Sequence, residues 1–197
     1  MPEPDRIVLT FPDGHPMVVG SGIPAIEALR LWNPKVVDTA LAAMFQDRPI
    51  DLATPLEQSG SLRPLTFDDR AGRDILQHSS AHLVAAALLE TVPAARPTHG
   101  PPTDEGFFYD FDVRPLTPED LEAVRARIEE AVRRREPFVR REIPIDEARR
   151  LFRSNPYKLR YLSDVSDPNV SVYTTGSFVD LCRGLTYPTP VGWPVFT

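Results

Sequence analysis

In a chain of 197 residues carrying 22 prolines, the run Asp74–Glu90 is an exception: it has no proline or glycine, and alanine and leucine dominate it. Such a run is expected to fold as an α-helix. Within it, His78-Ser-Ser-Ala-His82 places two imidazoles at i and i+4, on one helix face and one turn apart. At that spacing they can share a ligand, a water or a substrate. They can equally be two neighbouring structural histidines, and spacing alone does not separate the two readings. A second stretch, Phe178-Val-Asp-Leu-Cys-Arg-Gly184, sets the single cysteine of the chain near an aspartate and adds Asp180 and Cys182 as chemistry-bearing residues.

The proline content, about double the usual share, predicts many turns and short elements. One cysteine excludes an internal disulfide and fits a reducing cytosol, so a cytoplasmic location is expected. No stretch reads as a signal peptide or as an apolar run long enough to span a bilayer, and no membrane partner is expected. A net charge of −6 argues weakly against nucleic acid as a partner. The distribution of charge qualifies this, because residues 125–160 hold eleven arginines and Lys158 against six acids. Such a segment can contact phosphates, with Arg133, Arg134 and Arg140 as the candidate RNA contacts, or it can be a solvated face laced with internal ion pairs.

Taken in order, Arg6–Phe11 alternates Ile7, Leu9 and Phe11 on one side as a half-buried strand does, and Pro12-Asp13-Gly14 turns it into a second strand at Met17–Val19. Ile23–Leu31 predicts a short helix with Pro24 near its first turn. Val36–Phe45 predicts a helical or mixed run, and Arg48–Leu52 and Ser61–Leu65 short strands whose prolines suit edges. Asp68 and Asp69 stand where the histidine helix wants its N-cap, and Pro93 and Pro97 stop it. Gly100–Asp112 leads through turns into an aromatic strand with Phe107, Tyr109 and Phe111 on one side. Thr117-Pro-Glu-Asp120 reads as a capped helix start, followed by a stripe of Leu121, Val124, Ile128, Ala131 and Val132 as far as Arg135. Phe138–Ile143 alternates as a strand, Asp146–Phe152 is a short helix, and Tyr157–Leu162, Val170–Tyr173 and Ser177–Cys182 read as strands. The fold class expected is α+β, with a small module followed by a larger α+β domain.

The ordered set His-x-x-x-His, Gly-Pro-x-x-x-x-Gly-Phe-x-Tyr-Asp, Leu-Thr-x-Glu-Asp, Tyr-Lys and Val-Asp-Leu-Cys-Arg-Gly resembles the editing domain of threonyl-tRNA synthetases, and a related domain occurs in alanyl-tRNA synthetases. Leu9-Thr-Phe-Pro-Asp-Gly14 resembles the hairpin of the ubiquitin-like TGS module that precedes editing in the same enzymes. The resemblance implies a TGS-like β-grasp module over residues 1–64 and an editing domain over 65–197. It also implies hydrolysis of serine wrongly attached to threonine tRNA, so that the expected partners are tRNA(Thr) carrying serine and the rest of a synthetase. The chemical need is plain: one missing methyl is worth only about 1–3 kcal/mol in a binding pocket, so a threonine site accepts serine and a second site must remove it.

By the same resemblance His78, His82, Lys158, Asp180 and Cys182 line the catalytic pocket, with Tyr109 and Thr186 binding substrate. The histidines are expected at the terminal ribose and the attacking water, Lys158 at developing negative charge, and Asp180 at the substrate amino group. The family continues from its cysteine as Cys-x-x-x-His, whereas this chain has Thr186, which cannot titrate near neutral pH or ligate metal as imidazole does. The alternative is therefore a degenerate editing fold that binds tRNA or supports a synthetase without catalysis. His99, in a Thr-His-Gly-Pro loop, can stand in for the missing imidazole or be an exposed, idle loop histidine. His78, His82 and Cys182 meet the ligand count of a catalytic zinc. The resemblance points instead to water and the hydroxyls of the tRNA, and no metal or cofactor is expected. The stretch Pro188–Pro194 reads as a linker, and the chain as the amino-terminal part of a synthetase rather than a free-standing editor.

Overall fold

The computed structural model describes residues 5–100, 102–103 and 105–181. Cys182, Thr186 and the proline-rich stretch 188–194 lie outside the described residues. The fold is mixed α+β, and the chain divides into two compact units between Leu76 and Gln77, within one helix.

In the first unit, β1 (Arg6–Thr10) and β2 (Pro16–Gly20) form an antiparallel hairpin, with Gly14 at φ +80° in its turn. The two-residue β3 (Ile23–Pro24) leads into α1 (Ala25–Trp32), followed by a 3-10 turn (Pro34–Asp38), β4 (Ala42–Phe45), β5 (Arg48–Ile50), the two-residue β6 (Pro55–Leu56) and β7 (Gly60–Leu65). One sheet runs β2-β1-β7-β4-β5, with β1 and β7 parallel and the other pairs antiparallel. The expected alternation holds: Ile7, Leu9 and Phe11 are buried with Leu62 and Leu65 and with Ala25, Ala28 and Leu29 of α1. Phe11 stacks on Trp32 at 5.2 Å, and the Trp32 indole N–H donates to Asp13 Oδ2 at 2.8 Å, which ties the end of α1 to the hairpin turn.

Two expectations change here. The mixed run Val36–Phe45 resolves into the 3-10 turn and a true strand. Pro64 lies in a strand that is central rather than at an edge. That is tolerated because β1 pairs with β7 only at Gly60 and Ser61, so the missing N–H of Pro64 falls beyond that pairing.

Helix α2 (Arg70–Thr91) contains both histidines. Asp69 occupies the position before it, and its carbonyl accepts the Arg73 amide. Its carboxylate turns back to the Thr66 N–H at 2.9 Å instead of capping forward.

In the second unit, the short strands β8 (Arg96–Pro97), β9 (Pro102–Thr103), β10 (Gly106–Phe107) and β11 (Phe111–Asp112) pair as β8–β11 and β9–β10. The aromatic stretch is therefore two strands broken at residues 108–110, not one. Then come α3 (Pro118–Arg134), β12 (Val139–Pro144), α4 (Ile145–Leu151), α5 (Pro156–Ser163), β13 (Asn169–Thr175) and β14 (Phe178–Leu181), the three strands forming an antiparallel sheet in the order β12-β13-β14.

Thr117 and Asp120 form the expected capping box of α3, which closes on Arg135 in the left-handed conformation, φ 53°. Val124 and Ala131 are buried, but Leu121 is 55% exposed and is not part of the stripe. Tyr157–Leu162 is helix α5 and not a strand. Asn155 caps it, accepting from the Tyr157 and Lys158 amides at 3.0 and 3.2 Å, and Pro156 opens its first turn.

Candidate functional site

Strand β13 is buried on both faces, and the period of two sorts its side chains and those of β14. Val172, Val179 and Leu181 pack with Ile143, Ala148, Phe152 and Leu162 of the sheet's α4–α5 side. The opposite face carries Tyr173, Thr175, Phe178 and Asp180, since Tyr173 pairs with Asp180 and Thr175 with Phe178 across the ladder. His82 of α2 meets that face, with ring centroids 6.4 Å from Tyr173 and 6.0 Å from Phe178.

The helical spacing does what it predicts. His78 and His82 meet edge to face, ring centroids 4.6 Å apart, with their Nε2 atoms 3.1 Å apart in a hydrogen bond. His82 Nδ1 lies 3.4 Å from Asp180 Oδ2, in ion-pair range but outside hydrogen-bond geometry. Lys158, from the buried side of α5, puts Nζ 2.6 Å from Asp180 Oδ1. The Tyr109 hydroxyl donates to Asp180 Oδ2 and accepts from Lys158 Nζ at 3.3 Å. The Leu181 amide donates to Asp180 Oδ1 at 2.8 Å. Lys158 and the Leu181 amide on Oδ1 and Tyr109 on Oδ2 engage three of the carboxylate's lone-pair positions, and His82 Nδ1 stands beside the fourth. A substrate ammonium would therefore reach Asp180 only by displacing one of them.

Asp180 is 1% exposed, His82 3% and Lys158 6%. Burial pushes the Asp180 carboxyl up, but the neighbouring His82 and the Lys158 ammonium outweigh it and hold the group below the ordinary carboxylate range. Burial, reinforced by His82, pushes His78 down to about 4, which makes it a neutral imidazole at physiological pH.

Four of the expected pocket residues, His78, His82, Lys158 and Asp180, thus come together with Tyr109, while Cys182 and Thr186 lie outside the described residues. His99 is exposed. The sequence reading missed Tyr173 and Phe178, which wall His82, and Asn155, whose side-chain amide donates to the Pro97 carbonyl at 2.8 Å while capping the helix of Lys158. The Asn155-Pro156 pair was the available signal for that helix start. Among the described residues no three His, Cys, Asp or Glu converge as a metal-binding group. No described helix is long and apolar enough to cross a membrane.

The three arginines expected at RNA are exposed. Arg133 and Arg134 share Glu130, and Arg140 donates to Ser171 Oγ at 2.7 Å.

Fold and cluster together define a mixed α+β protein with a buried carboxylate, held by an ammonium and a phenol, beside a pair of imidazoles. No family model matches the chain. Its relatives by sequence are threonine–tRNA ligases. It is 40% identical to that of Rubrobacter xylanophilus over 179 residues, 90% of this chain and 28% of the relative. It is 41% identical to that of Symbiobacterium thermophilum over 184 residues, and 40% identical to that of Enterococcus faecalis over 185 residues. These alignments cover 91% and 92% of this chain, and 28% and 29% of the relatives. The chain is thus related to threonine–tRNA ligases over nearly its whole length while spanning less than a third of theirs.

Proposed function

We propose that this chain hydrolyses the ester of serine mistakenly attached to tRNA(Thr), in the setting of a threonyl-tRNA synthetase. The observation that carries the reading is the row Asp180–His82–His78, in which His82 stands at ion-pair distance from the carboxylate and hydrogen-bonds to His78, an imidazole kept neutral at physiological pH. A neutral imidazole accepts a proton from water, as attack on an ester requires. We assign His82 a proton on Nδ1, facing Asp180, so that its Nε2 accepts from His78. Water oxygen then bonds to the ester carbonyl carbon while His78 takes the proton. Collapse of the tetrahedral species breaks the bond to the ribose oxygen, which recovers the proton from His78, and serine leaves as the free acid. Lys158 has three N–H bonds. Two are directed at Asp180 and Tyr109, and the third is assigned to the developing oxyanion. Asp180 holds Lys158 and Tyr109 in place, its carboxylate meeting the serine amino group only where one of its partners is displaced, and Tyr109 borders the serine.

The reading extends to the rest of the chain. Residues 1–64 are a TGS-like β-grasp module, a reading supported by the sheet order β2-β1-β7-β4-β5 with its parallel β1–β7 pair beside α1. Residues 65–197 are the editing domain, and the exposed Arg133, Arg134 and Arg140 meet the tRNA backbone.

Incubation with seryl-tRNA(Thr) and threonyl-tRNA(Thr), with and without chelator, tests the proposal. Serine should be released much faster than threonine, and chelator should not slow it. Serine release no faster than in buffer overturns the reading. So does threonine release at an equal rate.

A further inference from the structure

Gly100 does not have a positive φ, so its backbone conformation does not call for glycine. Its surroundings do. A Cβ built there would stand 2.3 Å from Tyr109 Cδ2, 2.6 Å from Tyr109 Cγ and 2.8 Å from the Phe108 carbonyl oxygen. Carbon atoms in contact prefer about 3.5–4.0 Å, and neither the root of an aromatic ring nor a backbone oxygen is an easily displaced neighbour.

The close approach is built by the backbone. Strands β8 and β11 pair Pro97 with Phe111, and the ladder continues as the Thr98 amide donates to the Asp110 carbonyl at 3.0 Å and the Asp110 amide to the His99 carbonyl at 2.8 Å. That register carries Gly100 onto Phe108 and the adjoining Tyr109 ring, which Phe111 also stacks against at 4.8 Å. The hydroxyl of the same ring donates to Asp180 and accepts from Lys158.

We propose that Gly100 is a positioning residue for Tyr109: the absence of its side chain seats the ring so that the phenol bridges the Asp180 carboxylate and the Lys158 ammonium. This rests on the hydrolytic reading of the cluster. Any side chain at residue 100 pushes the ring from that seat, and the phenol leaves the bridge although Gly100 itself touches neither charged group.

Two measurements on the full chain test it. In seryl-tRNA(Thr) hydrolysis, Gly100→Ala should lower kcat roughly tenfold to a hundredfold, the scale of a misplaced catalytic group, with KM changed less than about twofold. Gly100→Ala combined with Tyr109→Phe should be no slower than the slower single variant, because both act through one hydroxyl. An unchanged kcat, or effects that multiply, overturns the proposal.

The second measurement needs no activity. The stability lost on Gly100→Ala, read by urea unfolding, should shrink in a Tyr109→Ala background where the obstructing ring is gone. Equal losses in both backgrounds overturn the proposal. If Gly100→Ala does not fold alone, recovery of folding with Tyr109→Ala supports it, and failure to recover overturns it. A wild-type protein that releases no serine sinks the hydrolytic reading by itself, while the unfolding cycle still reports on the seat of Tyr109.

Discussion

Lys158 Nζ stands 2.6 Å from Asp180 Oδ1, joining α5 to β14 with side-chain exposures of 7% and 2%. Two charges this far from water repay their desolvation only because each also has further partners, here Tyr109 for both and the Leu181 amide for the carboxylate. Removing one member leaves the other charged and without its counter-ion. Lys158→Ala and Asp180→Ala should each lower stability by about 3–5 kcal/mol, and the double variant by clearly less than the sum. Urea unfolding of the four proteins checks this; additive losses would show that the pair is not energetically coupled.

The depressed His78 makes stability depend on pH in a stated direction. Its folded value of about 4 lies below the ordinary imidazole value of 6.5, so between these the unfolded chain binds more protons and stability rises with pH. The contribution is complete above about 6.5, falls as pH drops toward 4, and is of order 1–3 kcal/mol. Asp180, also depressed, shapes the curve only at lower pH, in the ordinary carboxylate range and below it. Unfolding free energies from pH 7.5 to 4.5 should therefore show a slope that His78→Gln flattens; an equal slope in the variant would assign the protons to other groups.

Arg133 and Arg134 both pair with Glu130, whereas Arg140 reaches Ser171. Charge reversal of the three arginines should weaken tRNA binding and flatten its dependence on salt, each lost phosphate contact removing roughly 0.7–0.9 from the logarithmic slope. Glu130→Gln should act oppositely by releasing two guanidinium groups. Binding measured across a salt series decides; a slope unmoved by the triple reversal would make these residues a solvated face.

At Gly72 two effects of opposite sign compete. Alanine improves helix propensity by about 1 kcal/mol. Its Cβ, however, would stand 1.9 Å from the Thr66 carbonyl oxygen, an overlap that places the cost at the upper end of overpacking, about 3 kcal/mol. Gly72→Ala should thus be destabilising by about 2 kcal/mol net, seen as a lowered unfolding midpoint. A midpoint at or above wild type would mean that the segment before α2 yields readily.

Local chemistry was legible wherever one short stretch holds all its determinants. The Pro12-Asp-Gly14 turn, the proline-free helix around His78 and His82, and the Thr117–Asp120 capping box all follow from neighbours within a few residues. The meeting of the two imidazoles was legible for the same reason, since i and i+4 share a helix face whatever packs on it. Helix α5 shows the limit: Tyr157–Leu162 is too short for its period to choose between strand and helix, and only the capping Asn155, itself bonded across to the Pro97 carbonyl, decides. The family resemblance anticipates Tyr109, Lys158 and Asp180 in one pocket, but no local pattern of residues does, and their gathering is decided by tertiary structure. Their side chains come from a break between two short strands, the buried face of a helix and one face of a sheet. No local preference favours burying a lysine or an aspartate. The burial is stable because each charge arrives with the other's partners already in reach, a condition that exists only once the three elements pack.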